Sequence, residues 1–308
     1  MTPDRGPAPP AVVDPAAVRR ALRDAGLRAR HSLSQNFLAD AEVLDAILAE
    51  ASPRAGDRIL EIGPGLGVLT AALLAAGAAV AAVELDEPLA ARLRAEQATA
   101  VRAAEPDPDA PGALRVVTGD ALDVDLVTLA RPPYAVVANL PYHITSPILH
   151  RLLGSPPRPT RLVLMVQREV AERIAAPPGG MSYLSVFVQF HAVPRIARIV
   201  PAAAFEPAPA VDSAILVLEV RPSDERTLPD GATEDDLWRL VQAGFRERRK
   251  MLHNVLARQL PVGSAAVDAA LAGAGIAPDR RPQTLSVEEW IALLGALRAE
   301  DAPAGGAR

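Results

Sequence analysis

Between Asp57 and Val220 the chain alternates short apolar strand-like runs with helical ones, and this alternation constrains the fold more than any other feature. The strand candidates are Arg58–Ile62, Ala79–Glu84, Arg115–Thr118, Tyr134–Ala138, Leu162–Gln167, Ser185–His191 and Ala214–Val220, with helical stretches between the first five. Apolar strands separated by helices predict a mainly parallel sheet covered on both faces, because a parallel pair needs a long crossover to return. The last two candidates have no clear helix between them, which predicts a terminal antiparallel hairpin.

Elements on either side of this block set the domain plan. Residues 1–14 are rich in Pro and Ala and read as a disordered tail. A helix is expected from about Pro15, with Val18, Leu22 and Ala25 on one face, and a second after an N-cap at Asp40, with Val43, Leu44, Ile47 and Leu48 together. The polar run Arg221–Gly231, with Pro222 and Pro229, reads as a linker. Beyond it Leu237, Leu240, Val241, Phe245, Leu252, Val255 and Leu256 recur at helical spacing, and helices are expected at Ala265–Ala272 and Val287–Arg298. The expected architecture is α/β: a Rossmann-like domain over 15–222 with a mainly parallel seven-stranded sheet, an arrangement that resembles that of adenosylmethionine-dependent methyltransferases, a small all-helical C-terminal domain over 233–300, and a disordered tail over 301–308.

Composition narrows the classes of function. The absence of cysteine excludes disulfides, zinc-thiolate sites and thiol nucleophiles. The N-terminus lacks the apolar core of a signal peptide, and the apolar run 71–83, broken by Gly77, is too short to span a bilayer. A cytoplasmic monomer without membrane or metal partners is expected. Net charge is −5, but the charge is segregated. Acids gather in Glu105–Asp109 and Asp224–Asp236, both read as loop or linker. Bases gather in Arg19–His31 and in Arg246, Arg248, Arg249 and Lys250, the only lysine. Either basic run could be a solvated helix face or a phosphate-binding surface.

The first strand ends in Glu61-Ile62-Gly63-Pro64-Gly65-Leu66-Gly67, a glycine turn that opens a helix. Glycines there allow positive φ and close approach of a ligand. The spacing is not that of a dinucleotide fingerprint, and Pro64 removes a backbone donor that a pyrophosphate could use, so a cofactor without phosphates fits better. Glu84, at the tip of the second strand, could accept from both ribose hydroxyls of a nucleoside, in an NAD or an adenosylmethionine site alike. Asp86 competes for that role but better suits a helix start. Asp120, after the third strand, could accept from the cofactor's adenine amine. Three such features at successive strand ends define one edge of a parallel sheet.

Asn139-Leu140-Pro141-Tyr142 follows the fourth strand. An exocyclic adenine amine is a poor nucleophile because its lone pair is delocalised into the ring. Acceptors at the Asn139 side-chain oxygen and the Leu140 carbonyl would favour a tetrahedral nitrogen. Pro141 fixes the turn, and Tyr142 offers a ring on which a flipped-out base can stack.

At these residues the sequence resembles the small-subunit (16S) ribosomal RNA adenine N6,N6-dimethyltransferases, which dimethylate two adjacent adenosines near the 3′ end of 16S rRNA. The match includes Ser32–Leu38, Glu61–Gly65, Asn139–Tyr142, Gln167–Ala171, Phe205–Ala214, Arg248–Lys250 and Arg281–Ser286, and spans roughly residues 18–296. It implies S-adenosyl-L-methionine as cofactor, contacted by Asn36, Leu38, Gly63, Gly65, Glu84, Asp120 and Asn139. Phe205 is implied as a second aromatic partner of the target base, though core packing is equally open for it and for Phe37. The partner implied is 16S rRNA in a small-subunit precursor, met by Arg246, Arg248, Arg249 and Lys250. His31 and Ser34 depart from the family pattern, and the 177–183 loop is short and lacks its usual lysine. The alternatives are a non-catalytic assembly or transcription factor of the same fold, and a large-subunit rRNA methyltransferase of the antibiotic-resistance type. Leu140, the long Phe205–Ala214 motif and the C-terminal match favour the small-subunit enzyme.

Overall fold

The computed structural model describes residues 13–30, 35–222 and 225–301. Of the tails expected over 1–14 and 301–308, residues 1–12 and 302–308 lie outside the described residues, as do His31, Ser34 and Asp224; Asp301 is the last residue of the helix Val287–Asp301 rather than part of a tail. Val13 and Asp14 fall inside the structure: Val13 packs on the core, and the Asp14 carboxylate accepts from the Ala17 N–H to cap helix α1 (Pro15–Asp24).

The chain divides into two compact units. The larger contains the described residues up to Ala171 together with Pro194–Val220, and the smaller contains Glu172–Val193 with the described residues from Arg221 onward. Residues 172–193, assigned above to the larger domain, thus cluster with the helices of the smaller unit.

The larger unit begins with α1, the short strand β1 (Phe37–Leu38) and α2 (Ala41–Ala51), whose N-cap is Asp40 as its sequence predicts. It then alternates β2 (Arg58–Ile62), α3 (Val68–Ala75), β3 (Ala79–Glu84), α4 (Glu87–Glu96), α5 (Ala98–Ala104), β4 (Leu114–Thr118), α6 (Leu126–Leu129), β5 (Ala135–Asn139), α7 (Thr145–Leu153) and β6 (Arg161–Gln167). The sheet is completed by β7 (Ala192–Val200) and β9 (Ser213–Val220), while β8 (Phe205–Glu206) pairs with β1. The strand order is β4-β3-β2-β5-β6-β9-β7. Strands β2 to β6 pair in parallel with their neighbours, and β9 runs antiparallel to β6. The chain leaves β2 for β3 and β4 on one side, then returns to place β5 on the other. This reversal opens a crevice at the carboxyl ends of β2 and β5, where open α/β sheets take their ligands. The core beneath packs α2 and α3 on the strands through Ile47, Leu73, Val80 and Val137.

The seventh strand is not where the sequence suggests. Ser185–His191 is helical, within α9 (Tyr183–His191), and the strand is the following segment, β7. The run Leu-Ser-Val-Phe-Val-Gln-Phe-His is rich in β-formers, but a reciprocal capping box between Ser182 and Ser185 starts a helix there. Its residues are buried almost all round, so the helix shows no amphipathic period. β7 is an edge strand with Pro194 and two arginines, Arg195 and Arg198, that pair with Glu50 and Glu42 of α2.

In the smaller unit α8 (Arg168–Ile174), which starts in the larger one, leads toward α9; α10 (Glu234–Phe245), α11 (Leu252–Gln259), α12 (Ser264–Gly273) and α13 (Val287–Asp301) follow. Trp290 and Leu293 lie at the centre of its core. Phe187, Phe190 and His191 pack around Trp238 at ring separations of 5.0, 5.1 and 5.6 Å. Part of the acidic linker expected over 224–236 is helical: Glu234, Asp235 and Asp236 form the first turn of α10, where their charge complements the helix dipole. The shortened loop at 177–183 is held inside this unit, with the Gly179 and Met181 N–H groups donating to the Gln283 carbonyl. Among the described residues no helix is long and apolar enough to cross a membrane.

Candidate active site and cofactor pocket

A cavity at the switch point gathers Asn36, Leu38, Gly63, Gly65, Glu84, Asp120, Asn139, Leu140, Pro141 and Tyr142, all named from sequence, in one wall. Gly63, Gly65 and Gly67 all have positive φ, between +57° and +78°. A Cβ at Gly65 would stand 3.1 Å from the Phe37 ring, and one at Gly63 would meet the Pro141 ring at 3.4 Å. The glycine turn and the Asn139–Tyr142 loop are therefore in direct apposition.

Glu84 caps the turn from the neighbouring strand. Its carboxylate accepts from the Gly65 N–H at 3.0 Å and from the Asp86 N–H at 2.9 Å. Burial raises its pKa, and these backbone donors act in the opposite direction. Each oxygen keeps lone-pair capacity for a hydroxyl. Asp86 is placed otherwise, as the N-cap position of α4, where its carboxylate meets Arg30 and Gln35. Asp120 accepts from the Leu122 N–H at 2.8 Å, which fixes the carboxyl at the cavity wall.

Asn139 is the last residue of β5 rather than the first after it. Its side-chain nitrogen donates to the Asn36 carbonyl at 3.2 Å. Because that carbonyl can only accept, the amide is oriented, and its Oδ1 is left as an acceptor. The Leu140 N–H is held by the Met165 carbonyl at 3.2 Å, and no hydrogen bond among the described residues engages the Leu140 carbonyl. Pro141 is extended, with φ −56° and ψ 128°, and Tyr142–Ile144 form a single 3₁₀ turn. The Tyr142 hydroxyl lies 2.7 Å from Ser213 Oγ at the start of β9, and burial raises its pKa. Ser213, read from sequence only as part of the Phe205–Ala214 motif and given no role there, holds the hydroxyl end of this ring.

Phe205 is not brought to the cavity wall. It pairs with Leu38 across β1 and β8, and at 2% exposure its ring is part of the core beneath, with no free face for a base in this conformation. Phe37 lies at the cavity instead. Glu61 is a cavity residue to which sequence reasoning gives no role. It is buried on β2, lines the cavity and accepts from the Thr70 hydroxyl at 2.6 Å. Burial pushes its pKa up to about 8, with a further upward contribution from Glu84. The signal was present as one acid inside an otherwise apolar strand.

The basic cluster lies in the smaller unit, in the turn joining α10 to α11. Arg246 binds Gln259 at 2.7 Å, and Arg248 reaches the Met181 carbonyl at 3.3 Å. Arg249 and Lys250 are exposed and form no ion pair among the described residues.

The strand order and the switch-point pocket are those of the Rossmann-like methyltransferases. The chain belongs to the ribosomal RNA adenine dimethylase family, whose profile matches residues 26–297. It is 44% identical over 290 residues to the ribosomal RNA small subunit methyltransferase A of Anaeromyxobacter sp. (strain K), covering 89% of this chain and 95% of that protein. To the protein of the same name from Moorella thermoacetica (strain ATCC 39073 / JCM 9320) it is 42% identical over 294 residues, 92% and 97% of the two chains. Among solved structures it resembles a dimethyladenosine transferase from Plasmodium falciparum, with a TM-score of 0.70 and 25% identity over 86% of this chain and 98% of that one. It also resembles the 23S rRNA methyltransferase ErmE, with a TM-score of 0.64 and 28% identity over 85% and 100%.

Proposed function

We propose that this enzyme transfers methyl groups from S-adenosylmethionine to the N6 amines of two adjacent adenosines near the 3′ end of small-subunit ribosomal RNA, within a precursor of that subunit. The observation that carries the chemistry is the oriented amide of Asn139: its nitrogen is bonded to Asn36, so its oxygen is presented as an acceptor beside the Leu140 carbonyl. The small-subunit target rests on identities of 44% and 42% to proteins named for it.

The residues present fit the donor. The cavity is lined by Glu61, Glu84 and Asp120 and, among the described residues, by no lysine or arginine, which suits a cationic nucleoside without phosphates. Glu84 would hold the ribose hydroxyls, Asp120 the adenine amine, and the glycine turn with Asn36 and Leu38 the remainder. Bound there, S-adenosylmethionine supplies an electrophilic methyl group on a positively charged sulfur. Asn139 Oδ1 and the Leu140 carbonyl accept the two N6 hydrogens, which draws the nitrogen toward a tetrahedral, nucleophilic form. Tyr142, fixed by Ser213, gives the flipped base a stacking surface. After transfer the proton leaves the amine to water, so the side chains need only align the reactants.

In this reading the larger unit is the methyltransferase domain and the helical unit binds RNA, through Arg246, Arg248, Arg249 and Lys250. Mass spectrometry of rRNA adenosines from cells with and without the protein tests the assignment. Loss of N6,N6-dimethyladenosine from small-subunit RNA alone is expected on deletion. Unchanged small-subunit adenosines would end the proposal.

A further inference from the structure

The mechanism above gives Glu61 no contact of its own beyond lining the cavity, yet the fold places a carboxyl group there at a real cost. The β2–β3 register sets Glu61 opposite Ala82. Glu84, two residues beyond Ala82, therefore projects from the same face of the sheet as a diagonal neighbour of Glu61. Both side chains are buried and both line the cavity. Two carboxylates so placed cannot both ionise cheaply unless a cation stands with them.

Among the described residues no cation does so. The groups that act on Glu61 are the Thr70 hydroxyl from α3 and the Glu84 carboxyl from β3. The other titratable side chains on the cavity wall are Asp120, Tyr142 and His143. Glu84 is already committed as an acceptor of two backbone N–H bonds, which favour its charged form. Glu61 has a single neutral hydroxyl donor. The proton of the pair accordingly belongs on Glu61.

We infer that Glu61 is a proton-linked subsite for the positive charge of the methyl donor: the Glu61–Glu84 pair carries one proton before the donor enters and releases it to solvent as the donor binds. The inference rests on the donor being S-adenosylmethionine, as proposed above. In the step, the O–H bond of the Glu61 carboxyl breaks, its proton goes to the buffer, and the carboxylate stays to face the incoming cation. The donor's charge replaces the proton as the partner of the second carboxylate. Donor affinity then rises with pH while Glu61 is protonated in the free enzyme, by roughly tenfold from about pH 6.5 to 8.

Calorimetric titration of the full chain with S-adenosylmethionine, in two buffers of different ionisation enthalpy, counts the protons directly. Most of one proton per donor is expected to be released near pH 7 and close to none near pH 9.5, where Glu61 is already ionised. Glu61→Gln keeps an acceptor for Thr70 but has no proton to lose, so its release near pH 7 should be close to none. The wild-type pH series decides by itself if that variant does not fold. Donor binding without proton release, or with equal release from wild type and Glu61→Gln, overturns the inference and leaves the donor assignment standing. Absence of any donor binding overturns both.

Discussion

The two ends of the Asn139 amide do different things. The nitrogen ties β5 to the Asn36 backbone, which leaves the oxygen as the acceptor proposed above for the reacting amine. Asn139→Ala removes both, and transfer should fall by about 100-fold or more, since a positioned acceptor at the reacting centre is worth roughly 3 kcal/mol. The melting temperature should move only a few degrees, because the bond that is lost is worth about 1 kcal/mol. Steady-state kinetics beside thermal melting checks this, and near-normal turnover in a folded variant would remove the orienting role. That Asn139, Glu84 and Asp120 reach the cavity was legible in the sequence because each is a polar residue at or just beyond the end of a strand-like run. The places of Phe205 and Glu61 were not. An aromatic in a loop motif and an acid in a strand read alike whether they face a cavity or the core, and only the β1–β8 pairing and the β2–β3 register separate the cases.

At the scale of elements, the glycine turn after β2 sets the shape of the pocket. Gly67 is the N-cap position of α3 with φ +78°, and a Cβ there would approach Leu93 Cδ1 to 2.6 Å. Gly67→Ala should destabilise the protein by about 1–3 kcal/mol through left-handed backbone strain and the displaced leucine. Chemical denaturation measures it, and an unchanged midpoint would contradict this account of the turn. The parallel strands and their helices were readable because buried strands are continuous apolar runs and the intervening helices are amphipathic or capped. α9 was misread for the opposite reason. Its burial on nearly all sides erases the helical period, its β-branched and aromatic residues imitate a strand, and the deciding signal is a two-serine capping box. β7 was missed because an edge strand interrupted by Pro194, Arg195 and Arg198 lacks the apolar continuity of its neighbours.

For the whole molecule, the net charge of −5 conceals an uneven distribution of charge. The larger unit lines its pocket with carboxyls, while the helical unit presents Arg249 and Lys250 without acidic partners among the described residues. Replacing both with alanine should weaken RNA binding and reduce the slope of log affinity against log salt by about 1 to 2. An unaltered slope would return the cluster to a solvated helix turn. Stability should also depend on pH through Glu61. Its pKa in the folded state, about 8, lies above that of an unfolded carboxyl, so its favourable contribution is complete at acid pH and is lost as pH rises toward and through 8. Wild type should therefore lose more stability than Glu61→Gln between about pH 6 and 8. Parallel melting curves would show it, and identical pH slopes would contradict a protonated Glu61. The account as a whole turns on where the methyl donor lies relative to Asn139. A crystal structure of the enzyme with S-adenosylmethionine tests this most directly. The prediction is a ribose on Glu84, with the sulfur and its methyl group turned toward Asn139 and the Leu140 carbonyl. A donor bound with its methyl group away from that loop would contradict it.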